Sequence, residues 1–241
     1  MRGRFASPHP GVVRLLLFDV DGTLVTARGA GRGAFARALN AVYGTAGAVE
    51  GYDFRGRTDP RIVLDLMAGA GFDDAAIRAR LDSFFTRYVR ELEIVLADGA
   101  GVTVMPGVAD LVRRLSARDD AVVGLLTGNI EAGARVKLRP TGLLPFFRVG
   151  AYGSDDVDRR RLPAIACERA RALVGREFPF ARVTIIGDTP LDVDCARACG
   201  ALAVAVATGF HPADELAACA PDLLFTDFGD VEGVLRALLP A

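Results

Sequence analysis

The chain has 241 residues, 51% of them hydrophobic, and a formal net charge of −1 at pH 7. This length allows one large domain or a domain with a substantial insert. The near-neutral charge argues against a nucleic-acid partner and a polybasic membrane contact, and no apolar run is long enough to cross a bilayer. Residues 1–11 carry two arginines but no apolar core. We therefore predict a short disordered leader rather than a signal peptide, and a cytoplasmic location.

Short apolar runs alternate with helical patterns along most of the chain. The runs predict buried strands at Val12–Phe18, Ala121–Thr127, Phe146–Tyr152, Arg182–Asp188, Ala201–Ala207 and Asp222–Phe225. Helical patterns follow at Val108–Arg118, Glu131–Arg139, Leu162–Val174, Leu191–Cys199, Pro212–Ala218 and Asp230–Leu239. This alternation predicts an α/β fold, a doubly wound parallel sheet of Rossmann-like type with helices on both faces. Ligands bind such folds beyond the carboxyl ends of the strands.

One segment interrupts the alternation. From about Thr26 to Gly101 only helical patterns occur, the clearest being a single amphipathic helix at Asp73–Leu96. Asp59 and Pro60 are typical of an N-cap followed by proline at the first helical position. We therefore predict a catalytic core at 1–25 and 102–241, with an all-helical cap at 26–101 inserted after the first strand.

Polar residues gather where three of the predicted strands end. The first strand leads into Asp19-Val20-Asp21-Gly22-Thr23, the second ends in Thr127-Gly128-Asn129, and the fourth leads into Asp188-Thr189-Pro190-Leu191-Asp192. Because parallel strands end at the same edge of a sheet, four aspartates are expected to crowd together. Two carboxylates about 4 Å apart repel by about 4 kcal/mol at an effective dielectric near 20. Protonation would require strongly raised pKa values, so a hard divalent cation is the simpler answer, and Mg²⁺ suits carboxylates that share it with a phosphate.

These three motifs, together with the arginines at 159–161 that lie between the second and the last of them, resemble in this order the four motifs of the haloacid dehalogenase superfamily. The helical insert directly after the first motif is similar to the small cap of the phosphoglycolate phosphatase-like branch. The resemblance extends over essentially the whole chain from Val12 onward. It implies that Asp19 is the nucleophile that forms an aspartyl-phosphate. It also implies that Asp21 is the general acid and base.

The same resemblance implies the remaining parts of the site. Mg²⁺ would be held by Asp19, the backbone carbonyl of Asp21, and Asp188, and Asp192 would orient these ligands from outside the metal's coordination shell. Phosphoryl oxygens would be held by a further group at the second strand end: Thr127, Gly128 and Asn129. The amides of the last two are expected to open the next helix, a natural anion site.

The third motif departs from the family pattern, in which a lysine precedes Pro-x-Pro. The stretch here is DVDRRRLPAIA, in which Arg159 best matches the lysine position and Arg160 comes next. Arginine neutralises a phosphate and offers two parallel hydrogen bonds, so both are candidate phosphate ligands. Lys137, the single lysine of the chain, lies in the helix after the second strand, where a solvated helix charge is the favoured interpretation.

In the insert, Gly56-Arg57-Thr58-Asp59 resembles the stretch by which family caps approach the substrate. Arg57 and Thr58 are therefore candidate substrate contacts. Helix capping by Thr58 or Asp59 is the favoured alternative.

Together these features predict a Mg²⁺-dependent phosphatase acting on a small phosphorylated metabolite, either phosphoglycolate-like or a sugar phosphate. The protein would be a monomer or homodimer without nucleic-acid or membrane partners. The second aspartate of the first motif argues against dehalogenation. A phosphomutase or pyrophosphatase of the same branch stays open, as does a non-catalytic phosphate-binding module, which only the departure at Arg159 favours.

Overall fold

The computed structural model describes residues 13–97 and 101–240, so the predicted leader at 1–11 lies outside the described residues. The strands are β1 (Arg14–Phe18), β2 (Val25–Thr26), β3 (Thr103–Val104), β4 (Ala121–Thr127), β5 (Val149–Tyr152), β6 (Val183–Gly187), β7 (Leu202–Val206) and β8 (Leu223–Phe225). The α-helices are α1 (Ala30–Tyr43), α2 (Asp59–Gly69), α3 (Asp74–Arg78), α4 (Leu81–Val95), α5 (Val108–Ser116), α6 (Glu131–Leu138), α7 (Leu162–Val174), α8 (Pro190–Cys199), α9 (Ala213–Ala218) and α10 (Val231–Leu238).

Six strands form one parallel sheet in the order β5-β4-β1-β6-β7-β8. The chain moves outward from β1 in one direction, returns to its other side at β6, and moves outward again. The predicted doubly wound parallel sheet is thereby confirmed. The reversal of strand order places β1 at the centre, between β4 and β6, which is where such folds bind ligands.

The sheet is covered on both faces because its strands are apolar throughout. Along β1, Leu16 and Phe18 join the apolar cluster that contains α5 and α10, whereas Leu15 and Leu17 join the cluster that contains α7 and α8. All four side chains are fully buried. Alternate residues of a strand point to opposite faces, so a continuous apolar run supplies both layers at once.

Helices α1 to α4, which we call the helical insert, pack around a third apolar cluster that includes Phe35, Met67 and Phe84. Ile130 and Val136, beside and within α6, belong to the same cluster and join the insert to the sheet. The predicted division into core and cap at residues 25/26 and 101/102 stays a prediction.

Two expectations for this region were wrong. The single helix predicted at Asp73–Leu96 is two helices, α3 and α4, because the chain turns at Ala79 and Arg80. The two-residue strands β2 and β3, which pair antiparallel where the insert leaves and rejoins the sheet, were missed. Such short strands show no periodicity in sequence. Within residues 13–97 and 101–240, no helix combines the length and apolarity that a membrane crossing requires.

Candidate active site

The carboxyl ends of the three central strands form one site. Asp19 follows β1, Thr127 ends β4, and Asp188 follows β6. The backbone N–H of Asp19 donates to the carbonyl of Ile186 at 2.9 Å, so the ladder between β1 and β6 continues to the site itself. The predicted gathering of polar residues at this edge therefore follows from the register of the sheet.

Three buried carboxylates meet here, those of Asp19, Asp188 and Asp192. Each offers one oxygen, and the three oxygens lie within 4.8 Å of one another. The Oδ1 atom of Asp19 is buried, and no described residue donates a hydrogen bond to it. A set of close carboxylate oxygens with one acceptor left over fits a hard divalent cation. We call these three residues the acidic cluster.

The surroundings of Asp188 explain the Asp-Gly-Thr sequence after β1. Thr23 Oγ1 donates to Asp188 Oδ1 at 3.1 Å. Gly22 has a φ of +81°, and a Cβ at Gly22 or at Gly209 would overlap the Asp188 carboxylate. Glycine therefore serves two purposes at position 22, since it adopts the left-handed conformation and leaves room for the acidic cluster.

Arg159 is the basic residue that reaches the acidic cluster. Its buried guanidinium donates from Nη2 to Asp192 Oδ1, and Nη2 also lies 3.4 Å from Asp19 Oδ1. The Nη1 atom donates to the carbonyl of Gly56 in the loop before α2 at 3.1 Å. One side chain thus contacts the nucleophile candidate, its acidic neighbour and the helical insert.

Arg160 does not belong to this site. Its exposed side chain pairs with Asp194, with Nε and Nη2 each 2.8 Å from a carboxylate oxygen. The two arginines diverge because residues 159–161 form a 3₁₀ turn capped by Asp158, in which consecutive side chains point about 120° apart. The position of Arg160 therefore does not support its predicted role as a phosphate ligand.

Asp192 has a second bonding role, at the start of α8. Its Oδ2 accepts from the backbone N–H and Oγ1 of Thr189 at 3.1 and 2.7 Å, and Thr189 caps the helix in return. This capping box and Arg159 occupy both oxygens of Asp192. An orienting role outside the metal's coordination shell stays a prediction, and these contacts are compatible with it.

Lys137 was misjudged as a solvated helix charge. Its side chain is 5% exposed, and Nζ donates to Asp21 Oδ2 at 2.5 Å and to Asn129 Oδ1 at 2.6 Å. Asn129 Nδ2 also donates to Asp21 Oδ2, at 2.8 Å. Lys137 lies on the buried face of α6, and an ammonium there requires such partners. Lys137 is the single lysine among 29 Lys and Arg residues, and this was the signal in the sequence that could have pointed to its special position.

The residues that follow β4 do not form the helix N-terminus that the sequence predicts there. Helix α6 has its N-cap at Ile130, so Gly128 and Asn129 precede it, and the Asn129 N–H donates to Thr127 Oγ1 at 3.3 Å. The Gly128 carbonyl accepts from the Asp59 N–H at 2.7 Å. Thr127 itself is fully buried. That these three residues bind a phosphoryl group stays a prediction.

The candidate substrate contacts of the insert, Arg57 and Thr58, have protein partners, and their contact with a substrate stays a prediction. Thr58 is the N-cap of α2, since Oγ1 accepts from the Arg61 N–H at 3.3 Å, and it donates to the Val157 carbonyl at 2.7 Å. Asp59 instead accepts from the Ile130 N–H at 2.8 Å, so the predicted cap at Asp59 was wrong by one residue. The half-exposed Arg57 stands 3.8 Å from a carboxylate oxygen of Asp65.

Burial sets the electrostatics of the acidic cluster. It raises the pKa of Asp19 to about 6, although Arg159 opposes the change. Burial, with the added repulsion of Asp192 and Asp19, raises the pKa of Asp188 well above its ordinary value. Burial also disfavours the charge of Arg159, but Asp192 and Asp19 outweigh it and raise the pKa of the guanidinium. At neutral pH the single charge of Arg159 does not balance the three carboxyls of the cluster, and a divalent cation would supply further positive charge.

Added Mg²⁺ is expected to raise the Tm by several degrees at about pH 7.5 and much less at about pH 5. Because burial raises the pKa of Asp19 from about 3.8 to about 6, ionisation of this carboxyl destabilises the metal-free fold as pH rises through that window, and the raised pKa of Asp188 acts in the same direction. Below about pH 6 the folded Asp19 carboxyl binds a proton, which competes with the cation. Differential scanning calorimetry with Mg²⁺ or a chelator at both pH values measures this. An equal shift at both would contradict binding at the acidic cluster.

A family model of haloacid dehalogenase-like hydrolases matches residues 13–200. The matched region contains the acidic cluster, Asp21, Thr127 and Arg159. The chain therefore belongs to the haloacid dehalogenase-like hydrolases. The resemblance drawn from the motifs is confirmed, and so is the prediction that the protein is an enzyme of this hydrolase class.

Several relatives carry the name phosphoglycolate phosphatase. That of Synechococcus elongatus is 34% identical over 137 residues, which is 56% of this chain and 61% of that protein. The chain thus spans about three fifths of this relative's length. That of Pseudomonas syringae pv. tomato is 27% identical over 236 residues, 94% of this chain and 79% of that protein.

Solved structures agree on the fold. A hydrolase from Pseudomonas syringae superposes with a TM-score of 0.70 at 20% identity and covers 93% of this chain and 98% of that chain. CbbY from Rhodobacter sphaeroides, in complex with phosphate, superposes with a TM-score of 0.68 at 20% identity and covers 95% and 100%. These similarities extend over the sheet and the helical insert together.

Proposed function

We propose that the protein is a Mg²⁺-dependent phosphatase that hydrolyses a small phosphorylated metabolite through an aspartyl-phosphate on Asp19. One observation carries the proposal: the buried Asp19 carboxylate belongs to a cluster that fits a hard cation, and it lies 3.4 Å from the buried guanidinium of Arg159. A cation site and a fixed positive charge beside one carboxylate are what nucleophilic attack on a phosphate ester requires.

Each step of the reaction has a residue to perform it. Held by Asp19, Asp188 and the backbone carbonyl of Asp21, Mg²⁺ would neutralise charge on the phosphoryl oxygens. An Asp19 oxygen forms a bond to phosphorus while the bond to the ester oxygen breaks, and Asp21 gives that oxygen a proton. Asp21 then takes a proton from the water that attacks the aspartyl-phosphate, which releases inorganic phosphate and restores Asp19.

Arg159 and Thr127 are proposed to hold the phosphoryl oxygens during these steps. Arg159 keeps one buried donor, Nε, to which no described residue offers an acceptor. A fixed guanidinium with a donor to spare suits a phosphate oxygen. Phosphoglycolate is the first substrate to consider, because several relatives carry the name of its phosphatase, and sugar phosphates follow.

Purified protein is expected to release phosphate from small esters with Mg²⁺, and a chelator is expected to lower the rate by at least about 10²-fold. The panel comprises phosphoglycolate, several sugar phosphates and 4-nitrophenyl phosphate, assayed for free phosphate. Restoring Mg²⁺ after chelation serves as the control. Release that the chelator does not reduce would contradict the metal requirement. Transfer between sugar phosphates without phosphate release would indicate a phosphomutase instead.

A further inference from the structure

The basic residues of the site act on different carboxylates. Arg159 Nη2 contacts Asp192 and lies 3.4 Å from Asp19, whereas Lys137 Nζ donates to Asp21. Among the described residues, no ion pair joins Lys137 to the acidic cluster. In the family pattern one lysine supplies the positive charge of the site, and here Arg159 takes that position. Lys137, on α6, adds a second buried cation. Its acidic partner is Asp21, the proposed general acid.

Two donors converge on one oxygen of Asp21. Oδ2 accepts from Lys137 Nζ at 2.5 Å and from Asn129 Nδ2 at 2.8 Å, and Asn129 Oδ1 accepts from Lys137 at 2.6 Å. The three side chains therefore form a closed triangle of hydrogen bonds. No described residue donates to the other oxygen, Oδ1, and the Asp21 side chain is 42% exposed. One oxygen is thus held while the other is left for a reacting group.

The surroundings of Lys137 favour lysine over arginine. A Cβ at Gly31, in α1 of the helical insert, would lie 3.7 Å from Nζ and 3.9 Å from the hydroxyl of Tyr88. The insert therefore covers the ammonium, and the Lys137 side chain is only 5% exposed. A compact ammonium with three rotatable donors suits this space better than a wide, planar guanidinium. In a chain whose other 28 basic residues are all arginine, that is a physical reason for one lysine.

We propose that Lys137, supported by Asn129, is a positioning residue that holds Oδ2 of Asp21, so that a proton carried on Oδ1 passes to the oxygen of the leaving group. The proposal rests on the proposed phosphatase function. An acid must be held within a few tenths of an ångström of its working position, and a half-exposed side chain such as that of Asp21 loses that precision without fixed partners. Lys137 acts through Asp21 and needs no contact with the substrate.

The test compares two esters that differ in their need for an acid. Phenyl phosphate requires protonation of its leaving oxygen far more than 4-nitrophenyl phosphate, whose leaving group is stable as an anion. In Lys137→Met, kcat for phenyl phosphate is expected to fall by about 10²-fold or more, and kcat for 4-nitrophenyl phosphate by less than about 10-fold. In an Asp21→Asn background, Lys137→Met should cause little further loss on phenyl phosphate.

The controls distinguish a positioning role of Lys137 from a loss of folded protein. Arg135→Met removes an exposed positive charge from the same helix and should leave both rates unchanged. The ratio of the two rates belongs to the folded molecules alone, so partial unfolding does not alter it. Lys137→Gln carries the same expectation and replaces the methionine variant if that variant does not fold.

Two outcomes would overturn the inference. Equal losses on both esters, especially with a raised KM, would mean that Lys137 binds the phosphate directly or is merely structural. Unchanged rates on both would mean that Asp21 needs no such support. If wild-type protein hydrolyses neither these esters nor the wider panel, the proposed function fails instead, which is a distinguishable result.

Discussion

Asp19→Asn is expected to lower kcat by at least about 10⁴-fold while the protein stays folded, because losing a nucleophile removes the covalent route altogether. The buried side chain has close to the same volume as an amide. Burial already raises the pKa of the carboxyl to about 6, so replacing it with a neutral group relieves repulsion within the acidic cluster. Initial rates with 4-nitrophenyl phosphate and a thermal melt, both measured on one preparation, test the two halves of this expectation.

Asp194→Asn is the matched control for this variant. Asp194 lies on α8, two residues after Asp192, and its exposed carboxylate pairs with Arg160. It should retain nearly full activity, since a surface ion pair contributes little. Substantial turnover by the Asp19 variant would remove Asp19 from the nucleophile role.

Arg159→Met is expected to lower the free energy of unfolding by about 3–5 kcal/mol, because it leaves buried carboxylates without their cation. The affected groups are Asp192, which accepts a hydrogen bond from Nη2, and Asp19 at 3.4 Å. The loss of the bond to the Gly56 carbonyl also loosens the loop before α2. Activity should fall by about 10²-fold or more, since a fixed charge beside the phosphoryl group is lost. Urea denaturation in chelator and steady-state kinetics with Mg²⁺ measure the two effects.

Arg160→Met compares the neighbouring arginine directly. Its exposed side chain pairs only with Asp194 among the described residues, so stability and activity are expected to stay near those of the wild type. If Arg160→Met instead lost the activity and Arg159→Met kept it, the assignment of the third motif to Arg159 would be wrong.

Arg159 and Arg160 also show a limit of prediction from the sequence. Their adjacency made both plausible, and counting back from the next helix favoured Arg159. The direction of each side chain depends on the 3₁₀ turn at 159–161, which the hydrogen bond from the Arg160 N–H to Asp158 Oδ1 stabilises. Such a turn is three residues long and has no periodicity to read, so only the structure separates the two.

Lys137 illustrates a different limit. Its helix was predicted within one residue of the observed α6, yet its side chain was assigned to solvent. Its partner Asp21 is 116 residues away along the chain. Whether a charged side chain on a short helix is buried depends on what packs over it, and here that is the helical insert, through Gly31 and Tyr88. Local patterns carry no information about such a contact.

By itself, the sequence determined the doubly wound sheet and the identity of the aspartates at its edge. Short continuous apolar runs that alternate with helical patterns are typical of strands buried on both faces, and parallel strands with right-handed connections bring their carboxyl ends to one side. Only the tertiary structure decided which cation meets which carboxylate: Arg159 with Asp19 and Asp192, and Lys137 with Asp21. The physical reason is that buried ion pairs form between residues distant in sequence, where packing and desolvation, not local pattern, select the partner.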